Sequence, residues 1–424
     1  MPLRKAAQVP GNTGRHHDVI IGHRLGNGEL SAHAPGRPCA LCSGAQASAR
    51  RPGRHRRSPT RRGKVTRFFR DIAVPTSAIM VPLMALVALV GGGTAAAAAA
   101  TSTGVSWHRL SLINGWRSSA AAGTGNPRWA VKGGVVYLSG SLYQQTGTKQ
   151  DAARLPRAAR PSRTLFITVY TNGSTTGDLE IFPDGIIAVH GVAGNARAYT
   201  SLASVSYPAS SMSAHKLTLK YGWKSSQHAD GTGDPGYNIS GGVVYLSGSL
   251  HQPSGSDQIF TVLPKAARPT HILYVAMYTK GGTTGELIID PDGAIQAYGA
   301  DSRSFTSLAG VSFPAAKIIR HKLALLPGWT SEKAALQTGD PSYSIVGGVV
   351  YLSGAMVRAL GTGDEFAVLP PGARPAHTLY VKAWMSAFAV GTVQIRPDGT
   401  MLAYEVPAAD NPVSLESISF PVTS

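Results

Sequence analysis

The chain has 424 residues, a length typical of two to four domains, and 43% of them are hydrophobic, which is enough for ordinary globular cores. The 49 Gly and 28 Pro favour short strands and turns over long helices. The formal net charge of +18 is typical of nucleic-acid binding, but residues 1–100 contain 15 Lys and Arg against 3 Asp and Glu. Because the basic charge is concentrated in this N-terminal segment, we expect no nucleic-acid partner.

Residues 1–64 are rich in Arg, His, Gly and Pro and have no periodic apolar pattern. We interpret them as a disordered basic leader or as an over-extended gene model. Cys39 and Cys42 form a single CxxC, whereas a zinc site needs two more ligands at suitable spacing. We therefore expect no metal and no cofactor, and the cysteine-free remainder needs no disulfide.

Residues 65–100 have the three parts of a secretory signal peptide: a basic start, an apolar core over residues 72–90, and a run of small residues with Ala-x-Ala sites. Cleavage would place the mature start near residues 97–101. The alternative is a basic tail followed by an uncleaved anchor of marginal length. Pro75 and Pro82 make a poor anchor helix, so we favour a secreted or cell-envelope protein that meets the membrane only through its signal segment.

From residue 105 onward, one module of about 106 residues occurs three times, over residues 105–212, 213–318 and 319–424. The landmarks are GGVVYLSG at Gly133, Gly241 and Gly347, Arg-Pro at Arg160, Arg268 and Arg374, Pro-Asp-Gly at Pro183, Pro291 and Pro397, and Gly-Trp ending at Trp116, Trp223 and Trp329. A repeat of this length is a whole domain rather than a solenoid unit. We therefore expect three independently folding beads with short links near residues 209–214 and 315–320.

Strand and turn patterns fill each module, as the third copy illustrates. Gly347-Gly348 separates SYSIV from VVYLSG, as in a primed hairpin, and Pro397-Asp398-Gly399 predicts a second turn. The run HTLYVKAWM alternates apolar and polar residues, as a half-buried strand does. About eight strands and no helical period predict an all-β fold of three tandem antiparallel β-sandwich or jelly-roll modules.

The landmarks GGVVYLSG, LP-x-x-x-RP and PDG resemble a β-sandwich module of phage tail-fibre and minor structural proteins. The resemblance covers essentially all of residues 105–424. It implies contact with host-surface glycans and, by family analogy, a possible homotrimer. The signal-like segment and the three tandem copies depart from the family and suit a secreted bacterial-type protein, which puts virion assembly in doubt.

Two sets of repeated side chains are candidate ligand-binding residues. Trp116, Trp223 and Trp329 are either sugar-stacking platforms or core residues. Arg160, Arg268 and Arg374 can bind a carboxylate or acidic sugar in bidentate fashion, or they pair within their module with Asp184, Asp292 and Asp398.

A third candidate set is Tyr143 and His251, in a hairpin region that varies in length and composition between the copies. This region is predicted to be either a binding loop or a plain solvent loop. Asn126 stands where the other copies have Asp234 and Asp340, so we do not predict a shared calcium site.

No catalytic residues are predicted, because a glycosidase needs two positioned acids and the copies share only the aspartate of the Pro-Asp-Gly turn. We expect a secreted multivalent protein, not an enzyme, that binds a surface glycan or cell-wall polymer, since tandem weak sites gain avidity. The alternatives are a structural or adhesive envelope protein without a small ligand and, third, a glycoside hydrolase.

Overall fold

The computed structural model describes residues 105–192, 194–406 and 411–422. The leader, the two cysteines and the signal segment predicted above lie outside these residues. Within them no helix combines the length and the apolar character that crossing a membrane requires.

The first repeat (residues 105–212) contains twelve short strands. They are β1 (His108–Arg109), β2 (Ser111–Leu112), β3 (Trp116–Ser118), β4 (Arg128–Lys132), β5 (Val135–Ser139), β6 (Ser141–Gln144), β7 (Asp151–Arg154), β8 (Leu165–Tyr170), β9 (Thr176–Ile181), β10 (Ile186–Gly191), β11 (Thr200–Ser201) and β12 (Ser206–Pro208).

The second repeat (residues 213–318) and the third repeat (residues 319–424) follow the same order. The second has β13 (His215–Lys216), β14 (Lys224–Ser225), β15 (Gly236–Ser240), β16 (Val243–Ser247), β17 (Ser249–His251), β18 (Ile259–Val262), β19 (Leu273–Thr279), β20 (Thr283–Ile289), β21 (Ala294–Tyr298), β22 (Thr306–Ser307) and β23 (Ser312–Pro314). The third has β24 (His321–Lys322), β25 (Trp329–Ser331), β26 (Ser342–Val346), β27 (Val349–Ser353), β28 (Ala355–Arg358), β29 (Glu365–Val368), β30 (Leu379–Trp384), β31 (Val390–Ile395), β32 (Thr400–Tyr404), β33 (Pro412–Ser414) and β34 (Ser419–Pro421).

Helices are single turns between these strands. The α-helical turns are α1 (Asn195–Ala198), α2 (Gln227–Asp230) and α3 (Lys333–Leu336). The 3-10 turns are Ala120–Ala122, Arg157–Ala159, Asn172–Ser174, Lys265–Ala267, Lys280–Gly282, Pro371–Ala373 and Ser386–Phe388. The all-β prediction is confirmed.

Two antiparallel sheets carry the repeat pattern. One is four-stranded in every copy: β1-β4-β5-β12, β13-β15-β16-β23 and β24-β26-β27-β34. The other is built on a meander, β7-β10-β9-β8 in the first repeat, β18-β21-β20-β19 in the second and β29-β32-β31-β30 in the third. Gly347 and Gly348 have φ of 57° and 79°, the left-handed values that a primed hairpin turn needs, so the predicted hairpin is confirmed.

Each repeat has its own apolar core, and strand β8 shows how that core is made. Leu165, Ile167 and Val169 are buried among core residues of the first repeat. Phe166 and Tyr170 alternate with them and therefore point to the opposite face of the sheet. That face contacts the other two repeats, because β8, β19 and β30 approach one another pairwise.

The repeats form a closed ring, in which the first contacts the second, the second the third, and the third the first. Equivalent backbone hydrogen bonds join each Arg-Pro loop to the next repeat: Thr164 N to Gly231 O (3.1 Å), Ile272 N to Gln337 O (3.2 Å) and Thr378 N to Gly123 O (3.0 Å). Equivalent aromatic pairs stack across the junctions: Phe166 on Tyr278, Tyr274 on Trp384 and Tyr380 on Tyr170. The repeats are therefore in contact with one another rather than separated like beads, because their outer faces are apolar as well as their cores. The independent folding of a single repeat stays a prediction.

A fourth apolar cluster is shared by all three repeats. It contains the first valine and the tyrosine of every VVYLSG strand, together with Val105 and Ala130. At its centre the hydroxyl groups of Tyr137, Tyr245 and Tyr351, which we call the tyrosine triad, lie 3.1, 3.2 and 2.6 Å apart. Burial raises the pKa of each of these phenols, so the triad is neutral and every hydroxyl can donate to its neighbour.

The tyrosine triad predicts non-additive stability changes. Replacing one tyrosine by Phe should cost about 1 kcal/mol of unfolding free energy, because the remaining hydroxyls lose a partner. Replacing all three should cost less than the sum of the single variants, because no polar group is then left unpaired. Urea denaturation of the full chain measures this, with exposed Tyr221→Phe as the control. Strict additivity would show that the hydroxyls act independently.

Candidate functional site

The repeated tryptophans are core residues. The side chains of Trp116, Trp223 and Trp329 are only 2%, 3% and 4% exposed, and each indole Nε1 donates to a backbone carbonyl of its own repeat at 3.0 to 3.1 Å. A ring enclosed in this way has no face on which a sugar can stack, so the interpretation of these residues as platforms is wrong. Their large apolar area packs in the core of each repeat.

The repeated arginines are part of the loop that precedes the meander. In Arg160, Arg268 and Arg374 the Nε atom donates to the leucine carbonyl at the start of the LP-x-x-x-RP loop, at 3.3, 2.9 and 3.0 Å. Their side chains also lie against the glycine of the Pro-Asp-Gly turn. The three aspartates of that turn accept a backbone N–H two residues later, which is turn chemistry. One face of each guanidinium is thus engaged within its own module.

Tyr143 and His251 lie in strands rather than in the predicted loop. Tyr143 belongs to β6 and pairs with Arg117, and His251 ends β17, where its Nδ1 lies 3.0 Å from Ser226 Oγ. Both are half-buried. The length variation that suggested a binding loop begins after these residues.

Differences between the three junctions are more informative than their shared features. At the junction between the second and third repeats, His271 Nε2 lies 3.0 Å from both Ser353 Oγ and Glu416 Oε1. Glu416 also accepts from Gly354 N at 2.6 Å, and its side chain is fully buried. These groups form a buried network that joins the two repeats, in which Glu416 Oε2 has no hydrogen-bond partner among the described residues. The first repeat has Arg163 in place of His271 and Ala203 in place of Glu416.

The junction between the third and first repeats contains a cleft of about 400 Å³, which we call the basic cleft. Trp107, Arg109, Asn126 and Arg128 line it from the first repeat, and His377 lines it from the third. The Arg128 guanidinium lies 5.0 Å from the centroid of the Trp107 ring, and its buried Nε has no hydrogen-bond partner. No aspartate or glutamate of the described chain is among the residues that line it.

The positive charge of the basic cleft results from one substitution between the repeats. Lys216 forms an ion pair with Asp234 at 2.8 Å, and Lys322 forms the equivalent pair with Asp340 at 3.4 Å. The equivalent basic residue in the first repeat is Arg109, and Asn126 replaces the aspartate. Arg109 consequently has no carboxylate partner in the described part of the chain, and its exposed side chain is available to an anion.

His377 contributes an aromatic wall and little charge. It packs directly on Gly125, where a Cβ would lie 2.5 Å from the imidazole ring, and Gly125 has a φ of +75° that glycine adopts without strain. Burial, together with the nearby Arg128 charge, lowers the pKa of His377. The imidazole is therefore neutral at pH 7, so the two arginines supply the positive charge of the cleft.

A second cleft, of about 420 Å³, lies at the junction between the first and second repeats, and we call it the acidic pocket. It is lined by Phe166, Asp178, Glu180 and His190 of the first repeat and by Tyr278 of the second. His190 Nε2 lies 3.4 Å from Glu180 Oε2, and this contact raises the pKa of His190. Asp178 is 6% exposed, and burial raises its pKa to about 6, although His190 opposes the shift.

Sequence reasoning missed both clefts. The Asn126 difference was visible and was used only to discount calcium, whereas its effect on Arg109 depends on which side chains the fold brings together. Asp178 and Glu180 are not repeated, since Glu286 and Ile288 replace them in the second repeat and Thr392 and Gln394 in the third. A search for features common to all copies passes over such residues.

Comparisons with known proteins give no match: no family model, no curated protein and no solved structure is similar to this chain. The resemblance to tail-fibre modules therefore stays a prediction that rests on the sequence motifs alone.

The burial of Trp329 predicts a purely structural effect of its removal. Trp329→Ala should cost about 3–5 kcal/mol of unfolding free energy, because it leaves a cavity beside Phe366. Leu360→Ala, at a side chain that is 90% exposed, is the control and should change stability little. Thermal and urea unfolding of the full chain measure both. Unchanged stability in Trp329→Ala would place the ring at the surface and restore the sugar-platform interpretation.

Proposed function

We propose that this chain is a secreted or cell-envelope binding protein, without enzymatic activity, that holds an anionic surface glycan or cell-wall polymer in the basic cleft. The observation that carries the proposal is the missing counter-charge at Asn126, which leaves Arg109 beside Arg128 in a cleft without a carboxylate. Paired guanidinium groups recognise carboxylates and phosphates by bidentate hydrogen bonds. The indole of Trp107 adds an apolar face of the kind that packs on sugar rings.

One binding cleft per chain differs from the multivalent binding that the sequence predicts. The repeated Trp, Tyr and Arg side chains are engaged inside the repeats or at their junctions. Among the described residues, the other two junctions have a lysine–aspartate pair where the basic cleft has Arg109 and Asn126. The described part of one chain therefore offers one such cleft, and avidity along a polymer would come from several chains on one polymer.

A structural or adhesive protein without a small ligand is the second candidate. This candidate is favoured because the repeated side chains all make contacts within the folded chain. The pattern that the three copies share is then explained by folding alone. The two candidates differ in whether the basic cleft binds an anion.

Binding of acidic oligosaccharides tests the proposal. An oligogalacturonate and a glycerol-phosphate oligomer supply the two anionic chemistries, and neutral dextran is the control ligand. We expect Arg109→Gln and Arg128→Gln each to weaken binding of the preferred anion about ten-fold, since hydrogen bonds to charged groups are lost. Isothermal titration calorimetry of the full chain measures the affinities.

Asn126→Asp is the sharpest variant, because it restores the aspartate of the other repeats. We expect it to pair with Arg109, to keep the melting temperature and to weaken anion binding. Lys265→Gln removes an equal charge from an exposed loop of the second repeat and should have no effect. Absence of anion binding would favour the structural candidate, whereas equal affinity for dextran, or binding that survives all three cleft variants, would contradict the assignment to the basic cleft.

We also infer that the protein is a monomer, in which the three repeats of one chain take the place of the three chains of the homotrimer that the resemblance implies. The three repeats already bury against one another the faces that three separate chains would share. Light scattering with size-exclusion chromatography should therefore give one chain per particle. A mass of three chains would contradict this inference.

A further inference from the structure

We propose that the acidic pocket between the first and second repeats binds the ammonium group of a small organic amine of about the size of an amino sugar. Asp178 would accept hydrogen bonds from the ammonium group, and Phe166 and Tyr278 would contact the body of the ligand. This site is separate from the basic cleft and does not depend on the function proposed for it.

The first argument is that Asp178 is a buried carboxylate without a hydrogen bond in the described chain. Its equivalents in the other junctions are satisfied. Glu286 accepts a hydrogen bond from Trp384 Nε1 at 2.7 Å, and Thr392 donates from its hydroxyl to Glu405 Oε2 at 3.1 Å. A buried acceptor without a donor from the protein is stabilised when a ligand donates a hydrogen bond to it.

The second argument concerns the surroundings of Asp178. At the next junction Trp384 stacks on Tyr274 and reaches Glu286, so that space is filled. At the first junction the equivalent of Trp384 is Tyr278, whose ring stacks on Phe166 at 5.2 Å. The phenol forms no hydrogen bond with Asp178, and Gly282 of the second repeat lies beside the carboxylate, where an added Cβ would be 3.3 Å from Asp178 Oδ1. The pocket is therefore open where its counterpart is closed.

The negative charge and the aromatic side chains of the acidic pocket favour an organic cation as its ligand. The titratable groups facing Asp178 are Glu180 on its own strand, His190 on the neighbouring strand and Tyr278 of the second repeat. His190 forms its ion pair with Glu180, so the Asp178 carboxylate has no ion pair of its own in the described chain, although the charge of His190 still favours its ionised form. Aromatic rings attract ammonium groups, whereas a calcium ion would require six to eight oxygen ligands, which these walls do not offer.

The same geometry argues for binding rather than for hydrolysis. A glycosidase needs one protonated carboxyl group and a second carboxylate that is free to act as base or nucleophile. Glu180 is the second carboxylate here, and it is already engaged by His190 at 3.4 Å. Asp178 alone cannot supply both functions.

Chitobiose with free amino groups, the glucosamine dimer, is the test ligand, and N,N′-diacetylchitobiose is its matched neutral control. Titration of the full chain at pH 7.5 should show binding of the amine and at least ten-fold weaker binding of the acetylated sugar. Affinity should fall as the pH drops below about 6, because Asp178 then becomes protonated and His190 more positive. Equal binding of the two sugars, tighter binding of Ca²⁺ than of the amine, or release of glucosamine monomers would overturn the proposal.

Variants link the binding to this pocket. Asp178→Asn should weaken amine binding about ten-fold or more while the melting temperature at pH 7.5 stays equal or rises, because a buried charge is removed. Glu365→Gln, at an exposed acid of the third repeat, is the control and should bind normally. Asn126→Asp tests the other cleft and should leave amine binding unchanged, so failure of one proposal is distinguishable from failure of the other. Unchanged affinity in a folded Asp178→Asn protein would overturn the assignment.

Discussion

Each repeat places aromatic side chains on the face of its central strand that points away from its own core, and this face has to be buried against another repeat. Phe166 and Tyr170 in β8, and their equivalents in β19 and β30, are too apolar for a solvated sheet face. Closing three copies into a ring buries all three faces at once, because stacked aromatic pairs of these strands join each repeat to the next. The tyrosine triad fits the same constraint, since three buried hydroxyls can satisfy one another only when all three repeats are present.

The three junctions of the ring are not equivalent. The charged side chains that could bind a ligand lie at the positions where one junction differs from the others. The lysine–aspartate pair that accompanies two junctions is absent from the third because Asn126 cannot carry the charge. The buried acid that accepts a hydrogen bond from Trp384 in one junction has no such donor in another, at Asp178. The first substitution leaves unpaired positive charge and the second leaves an unpaired acid, so one chain presents clefts of opposite sign.

Local features of the fold were predictable from the sequence, whereas contacts between repeats were not. The turn at Gly347-Gly348 depends on backbone preferences of two residues, and the register of the flanking strands follows from it. The alternation around Tyr380 was taken as a half-buried strand with a solvated face, although an aromatic residue at such a position is itself a signal of a second contact. The burial of the repeated tryptophans and the carbonyl partners of the repeated arginines depend on the folded chain. The clefts depend on residues far apart in sequence, and no periodicity reveals them.

Stability and ligand binding make opposite demands on the carboxylates of these junctions. The hydrogen bond from Lys216 lowers the pKa of Asp234, so its pairing contributes stability at neutral pH that is lost as the pH falls through the lowered pKa. Burial moves the pKa of Asp178 from 3.8 to about 6, so the folded chain binds an extra proton between about pH 4 and pH 6, and stability falls as the pH rises through that window. A shift of this size corresponds to about 3 kcal/mol at neutral pH. A cation bound beside Asp178 would offset that cost. A cation beside Asp234 would instead compete with Lys216, which is already in place. Asp178 is therefore the carboxylate that favours a ligand, and Asp234 is not.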